Sequence, residues 1–339
     1  MKILLVVLSS LLLSNCGSTS VKSNTNDLSE VTADLASTYA NTITTTDLRN
    51  YLTVIASDEF EGRRTGEEGQ KKAAKYISDF YKKNDIKSPL TNGSYLQTIP
   101  KDFFRGRSEY DSENVLAFIE GTDKKEEIIV ISAHYDHLGV KGNKIYNGAD
   151  DDGSGTSAIM EIAQAFKIAS NQGKGPRRSL LFLHVTAEEI GLFGSKYYVQ
   201  NPVFPLKNTV TNLNIDMVGR VDNAHTKKPN FVYVIGSEKL SKELKSVSEQ
   251  VNKKYTNLSL DYKYDDDNDP NRFYYRSDHY NFAKNGIPII FYFNGVHKDY
   301  HKESDTVDKI NFSVLEKRTK LIFFTAWELA NRENRVKVD

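Results

Sequence analysis

Five short clusters of metal-ligand-type residues recur along the chain: His134-Tyr135-Asp136, Gly148-Ala149-Asp150-Asp151-Asp152, Glu188-Glu189, Asp216 and Tyr300-His301. Most stand just after an apolar run of strand length. Charged and imidazole groups are costly at the exits of buried strands unless they bind something there. Two histidines, two aspartates and two glutamates meeting in one crevice would suit a pair of hard-to-borderline divalent ions. The single cysteine, Cys16, lies far upstream of all of them. With no thiolate to offer, the clusters point to hydrolytic metal chemistry rather than a structural metal knot. Any one of these motifs alone would be an ordinary solvated or structural group. Their repetition at four strand exits is what carries the inference.

The elements that must position them alternate. Continuous apolar runs at 128–132, 179–186, 209–215 and 287–293 have strand length and the pattern of strands buried on both faces. Pro288 falls near the start of the last, where proline is tolerated. Residues 115–120 and 231–235 are further strand candidates. Helices are expected at 67–85, 154–168, 239–251 and 313–331. In the second of these Ile159, Ile162, Ala163 and Phe166 follow the i, i+3, i+4, i+7 pattern of one apolar face. Strands alternating with helices predict an α/β fold with a mostly parallel mixed sheet and helices on both faces. Such sheets bind ligands outside the carboxyl ends of their strands, where His134, Glu188, Glu189, Asp216 and His301 fall.

Bulk composition is consistent with one large domain. The 339 residues are 39% hydrophobic and 27% charged, enough apolar material for a sizeable core. Lys and Arg number 45 against 45 Asp and Glu, so no nucleic acid partner is indicated. Residues 3–13 form an apolar run behind Lys2, too short to span a bilayer comfortably. The run ends Leu13-Ser14-Asn15-Cys16, which resembles a bacterial lipobox with Asn15 in place of the usual small residue. Residues 1–15 therefore read as a lipoprotein signal peptide, residues 16–34 as a Ser/Thr/Asn-rich flexible tether, and residues 35–339 as a single domain. The implied location is the cell envelope after export, with a lipid anchor to the membrane through Cys16.

Taken in order, Ala133-His134-Tyr135-Asp136-His137-Leu138-Gly139, Asn147-Gly148-Ala149-Asp150-Asp151-Asp152-Gly153-Ser154-Gly155, Thr186-Ala187-Glu188-Glu189, Asp216-Met217, Ser277-Asp278-His279 and Tyr300-His301 resemble the M28 family of zinc aminopeptidases. The resemblance runs from about Asp58 to about Ile322 and implies a zinc-exopeptidase-like fold. It implies two Zn2+ per chain, with His134 and Asp216 on one ion, Glu189 and His301 on the other, and Asp151 bridging both. Glu188 would be the general base that takes a proton from water and passes it to the leaving amine. Tyr274 matches a tyrosine that in the family donates to the oxyanion, with Tyr275 an alternative. Asp136, two residues beyond His134, would share its face in an extended chain and accept the spare imidazole N–H. Asp150 and Asp152 are expected to bind the turn backbone or cap the next helix. His137, His184, His225 and His297 carry no motif role. Arg63 and Arg64, in the stretch Glu59 to Gly66, resemble the family's early loop with no chemical role attached.

The implied substrates are peptides with a free N-terminus. Alternatives on the same fold are a glutaminyl cyclase and a carboxypeptidase. The cyclases typically carry Asp where Ser277 stands and Trp-His where Tyr300-His301 stands, and both differences favour the peptidase. A binding protein with a dead site would be expected to lack a ligand or the base. The acidic run Asp265-Asp266-Asp267-Asn268-Asp269 lacks the glycine and glutamate of an EF-hand loop and reads as a solvated loop.

Overall fold

A computed structural model describes residues 35–339. The predicted signal peptide, tether and Cys16 lie outside the described residues. A helical segment at 35–40 leads into α1 (Thr45–Ile55), followed by α2 (Glu68–Lys83). The strands are β1 (Leu96–Ile99), β2 (Ser112–Ile119), β3 (Lys124–His134), the hairpin β4 (Gly139–Lys141) and β5 (Lys144–Tyr146), β6 (Arg178–Val185), β7 (Thr209–Ile215), β8 (Phe231–Ile235), β9 (Ser259–Asp261) and β10 (Ile289–Phe293). The remaining helices are α3 (Gly155–Asn171), α4 (Phe193–Gln200), α5 (Lys242–Val251), α6 (His279–Ala283) and α7 (Phe312–Asn331).

Eight strands form one sheet in the order β1-β2-β6-β3-β7-β10-β8-β9. The central four, β6, β3, β7 and β10, run parallel; β1, β2 and β8 join antiparallel. Along β3, Ile129, Ile131 and Ala133 face a core built on α1, α2, α3, α5 and α7. Ile128 and Val130 face the opposite layer, which holds Tyr198 of α4 and Phe282 of α6. This alternation is the period-two signature of a strand covered on both sides. The α/β sandwich predicted from the strand and helix pattern is therefore the fold observed.

Register decides where the site forms. His134 pairs with Val185, Ser132 with Asn214 and Ile215 with Tyr292. The carboxyl ends of β3, β6, β7 and β10 consequently lie side by side. A buried polar ladder ties the same ends together: Ser132 donates to Asn214 at 2.6 Å, and Asn214 donates to the Ser277 hydroxyl at 2.9 Å.

The amino-terminal segment docks onto α3 through a buried carboxyl. Glu161 accepts from the Thr44 amide at 3.0 Å, just where Thr44 caps α1. Burial, with Asp47 and Glu316 nearby, pushes the Glu161 carboxyl up to about 8. The native state then holds this proton where the unfolded chain has released it. Its stabilising contribution is complete below the ordinary glutamate range and is lost as pH rises towards and through about 8. Melting temperatures of wild type and Glu161→Gln between pH 5 and 9 test this: the wild type should lose stability relative to the variant as pH rises, and parallel curves would refute it.

Candidate metal centre

His134 is the last residue of β3, and its Nε2 lies 3.1 Å from Asp151 Oδ1 and 3.7 Å from Asp216 Oδ1. The other Asp151 oxygen, Oδ2, lies 3.2 Å from His301 Nε2 and 3.8 Å from His137 Nδ1. Glu189 completes this second group, with Oε2 3.1 Å from His301 Nε2 and Oε1 2.6 Å from His137 Nδ1. The five expected ligands are thus brought together, and the two oxygens of Asp151 face different groups. His134, Asp151 and Asp216 form one set close enough to hold an ion; His137, Asp151 and Glu189 form another.

The loops carrying these groups are held from behind. Asp305 Oδ2 accepts from the amides of Asp150 and Asp151 at 2.9 and 3.1 Å. Asp152 Oδ1 accepts from Gly155 at the start of α3 and from Met217, so it joins the Asp151 loop to the Asp216 loop. Asp150 Oδ1 accepts from Gly219, and its Oδ2 lies 3.1 Å from His297 Nε2. The flanking aspartates therefore bind backbone, as expected, Asp152 at the first amide of α3. Ala187, Met217 and His301 all adopt left-handed φ values, 60°, 58° and 57°. Non-glycine residues held there cost of order 1–3 kcal/mol each and cluster where function fixes the backbone.

The electrostatics ask for cations. Burial opposes protonation of His301, but hydrogen bonds to Asp151 and Glu189 push it up to about 10. His134 is likewise raised, its burial outweighed by Asp136, Asp151 and Asp216. Despite burial, His137, His134 and His301 hold the Asp151 carboxyl well below its ordinary range. Both ring nitrogens of His137, Asp151 Oδ2 and Glu189 Oε1 are buried with no well-formed hydrogen bond. Orphaned, mutually close imidazole and carboxylate atoms are what a divalent ion satisfies, displacing protons as it binds. The residues present therefore fit such ions.

Three expectations need correction. Asp136 does fix His134, but through its main-chain carbonyl, 3.1 Å from Nδ1; its carboxylate oxygen is 3.7 Å away. The strand ends at His134, so side-chain alternation no longer governs Asp136. Its carboxylate instead accepts from the Glu188 amide at 3.1 Å and the Thr65 hydroxyl at 2.8 Å. Tyr274 is not brought to the metal centre. Phe273–Tyr275 is a 3-10 turn, in which residues i and i+3 share a face. Phe273 and Arg276 accordingly line the pocket, while Tyr274 packs against Tyr275, Tyr280 and His279 under the Lys239 ammonium. Finally, His137, which carried no assigned role, is fully buried among the ligands.

Glu188 belongs to neither ligand group but lines the pocket beside Asp151 and Asp216. Burial, reinforced by Glu189, Asp216 and Asp278, pushes its carboxyl well above its ordinary range. Met217, Phe273, Phe291, Phe293, Val296, Arg276 and Tyr300 complete the pocket. The 265–269 run sits elsewhere, its carboxylates bound to the Gly236, Asn268, Asn271 and Phe273 amides and to Lys239.

Parallel strands whose carboxyl ends gather imidazoles and carboxylates around orphaned polar atoms define an α/β protein shaped to hold divalent cations. More narrowly, the chain belongs to peptidase family M28, whose family model matches residues 114–326. It is 25% identical over 299 residues to leupeptin-inactivating enzyme 1 of Streptomyces exfoliatus, covering 82% of this chain and 59% of that protein. It is 27% identical over 236 residues to aminopeptidase YwaD of Bacillus subtilis, covering 67% of this chain and 46% of that protein. The chain thus spans about half the length of these curated relatives. In fold it resembles the LapA aminopeptidase of Legionella pneumophila, with a TM-score of 0.69 at 21% identity, covering 96% of this chain and 81% of that one. It also resembles the glutaminyl cyclase of Porphyromonas gingivalis, with a TM-score of 0.63 at 19% identity, covering 84% of this chain and 98% of that one.

Proposed function

We propose that the protein is an exported, lipid-anchored aminopeptidase that removes N-terminal residues from peptides with the help of two zinc ions. The observation that carries this reading is the placement of Asp151, one oxygen towards His134 and Asp216, the other towards His137, Glu189 and His301. Family membership and the aminopeptidase names of relatives support it. The anchoring part rests on Cys16 and the apolar run before it.

Bound divalent ions would supply Lewis acidity and a water acidified towards neutrality. The chain's own residues do the rest. Glu188 stands free of the ligand groups and close to them, held through its amide by Asp136. It accepts the proton of the attacking water and hands it to the departing amine nitrogen as the C–N bond breaks. Met217, Phe273, Phe291 and Phe293 offer an apolar seat for the N-terminal side chain.

His137 joins Glu189 and Asp151 closely enough to hold or orient the second ion. His137→Ala is expected to weaken one of two zinc sites by about 10–100-fold, leaving the other in place. Chelator-competition titration reads this directly, and two unchanged affinities would remove His137 from the centre.

The function is tested by metal analysis of the purified protein together with a panel of aminoacyl-nitroanilides and a Gln-peptide cyclisation control. Two zincs and turnover of leucyl, methionyl or phenylalanyl substrates are expected. Cyclisation without hydrolysis would replace the peptidase with a cyclase.

A further inference from the structure

Arg63, in the early Glu59-to-Gly66 stretch, has no place in the chemistry above, yet it is wholly buried. Its Nη1 donates to the carbonyls of Ile55 and Asn147 at 2.8 and 2.6 Å, Nη2 to Gly148 at 2.9 Å, and Nε to Tyr135 at 2.8 Å. Tyr135 sits between His134 and Asp136. Asn147 and Gly148 open the loop that carries Asp151. The same residue's main-chain carbonyl accepts from the His137 amide at 3.1 Å. No carboxylate pairs with it directly among the described residues. Burial of such a cation is costly unless other groups offset it. Asp136, Asp151, Asp305 and Asp152 lie near enough to favour its charge; burial lowers its pKa only to about 10, leaving it protonated at neutral pH.

We infer that Arg63 is a positioning residue: its guanidinium clamps the His134 loop to the Asp151 loop, presetting His134 and Asp151 before any metal arrives, while its main-chain carbonyl holds the His137 segment. A planar fork with several donors can hold three carbonyls of the two loops and that of Ile55 at the end of α1 at once, which a lysine ammonium cannot. The positive charge also offsets repulsion within the carboxylate cluster while it is empty. The inference rests on the two-zinc reading above.

The test compares Arg63→Lys with Arg178→Lys in the full-length protein. Arg178 is equally buried and also binds main-chain carbonyls, those of Leu329, Arg332 and Glu333, but lies away from the centre. Zinc dissociation constants from chelator competition, metal-free melting temperatures, and kcat at saturating zinc are measured for each. Arg63→Lys should weaken zinc binding by about 10–100-fold, the usual effect of losing support behind a ligand. Its kcat at saturating zinc should stay within a few-fold of wild type, and added guanidinium at non-denaturing concentration should restore affinity to Arg63→Ala. Arg178→Lys should lower the melting temperature without moving the zinc constant. Wild-type zinc affinity in folded Arg63→Lys overturns the inference, as does a parallel loss in both lysine variants. If Arg63→Lys does not fold, Arg63→Gln takes its place; failure of both to fold makes the residue purely structural. A wild-type protein that binds no zinc removes the two-zinc reading itself, an outcome distinct from all of these.

Discussion

Replacing Glu188 with alanine should leave the metal content unchanged and lower kcat by about 10²–10⁴-fold, the range that a positioned proton-transfer group supplies. The geometry separates the roles of the two adjacent glutamates. Glu189 makes the contacts to His137 and His301, whereas Glu188 makes none of the close ligand contacts and faces the cavity. What holds Glu188 in position is its main-chain amide on Asp136, which survives truncation of the side chain. Metal content should therefore be unchanged while turnover collapses, with KM little altered because the apolar seat is intact. Glu188→Gln should behave alike, since an amide of similar size cannot take up the proton. Stopped-assay kinetics on zinc-saturated protein, with metal analysis of the same sample, give both numbers. Turnover within a few-fold of wild type would transfer the base role to another group, and loss of zinc would make Glu188 a ligand.

The fold was legible wherever a strand is buried on both faces. Residues 209–215 and 231–235 match β7 and β8, and the runs at 128–132 and 179–186 locate β3 and β6, because apolar continuity signals double cover. The edges were not legible. β1 and β9 have four and three residues and are half-polar, and they become strands only because a neighbour offers its open edge. The hairpin β4–β5 pairs three residues against three around Gly142, too few to show a pattern. α1 was readable in principle. Thr44 caps it, and Leu48, Leu52 and Ile55 lie on one buried face. Ser/Thr-rich residues ahead of it mask that signal.

At the site, residues directly following strands were legible because strand exits are where a parallel sheet displays its ligands. His137 was not. It follows His134 by three residues, and no periodicity applies once β3 has ended. Its inward direction is set by pairing of this segment with Arg64, a contact over long sequence separation. The failure at Tyr274 has a similar origin, since one 3-10 turn reassigned which of four consecutive residues face the pocket. Local spacing thus reports which residue types are present. The turns after each strand decide which atoms are presented, as with the carbonyl rather than the carboxylate of Asp136 at His134.

If two metals bind as proposed, Asp151→Ala should abolish tight binding of both and reduce activity to background. Every other ligand serves one group, whereas Asp151 belongs to both. The loop itself should stay in position, because Asp305 holds the amides of residues 150 and 151 and Asp152 ties the loop to the Asp216 strand exit. Loss of metal would then reflect a missing ligand and not a misplaced loop. Removal of Lewis-acid assistance forfeits several kcal/mol of transition-state stabilisation, which at about 1.4 kcal/mol per tenfold means at least about three powers of ten in kcat/KM. Thermal melts supply a readout independent of activity. At 100 times its dissociation constant, one bound zinc adds about 2.7 kcal/mol to wild-type stability. Zinc should therefore raise the wild-type melting temperature and leave that of Asp151→Ala almost unmoved. Asp151→Asn, which keeps one good acceptor oxygen but loses the charge and the second donor, should retain at most one weakened site. Two tight zincs in either variant would show that no carboxylate bridge exists and that the two groups are independent.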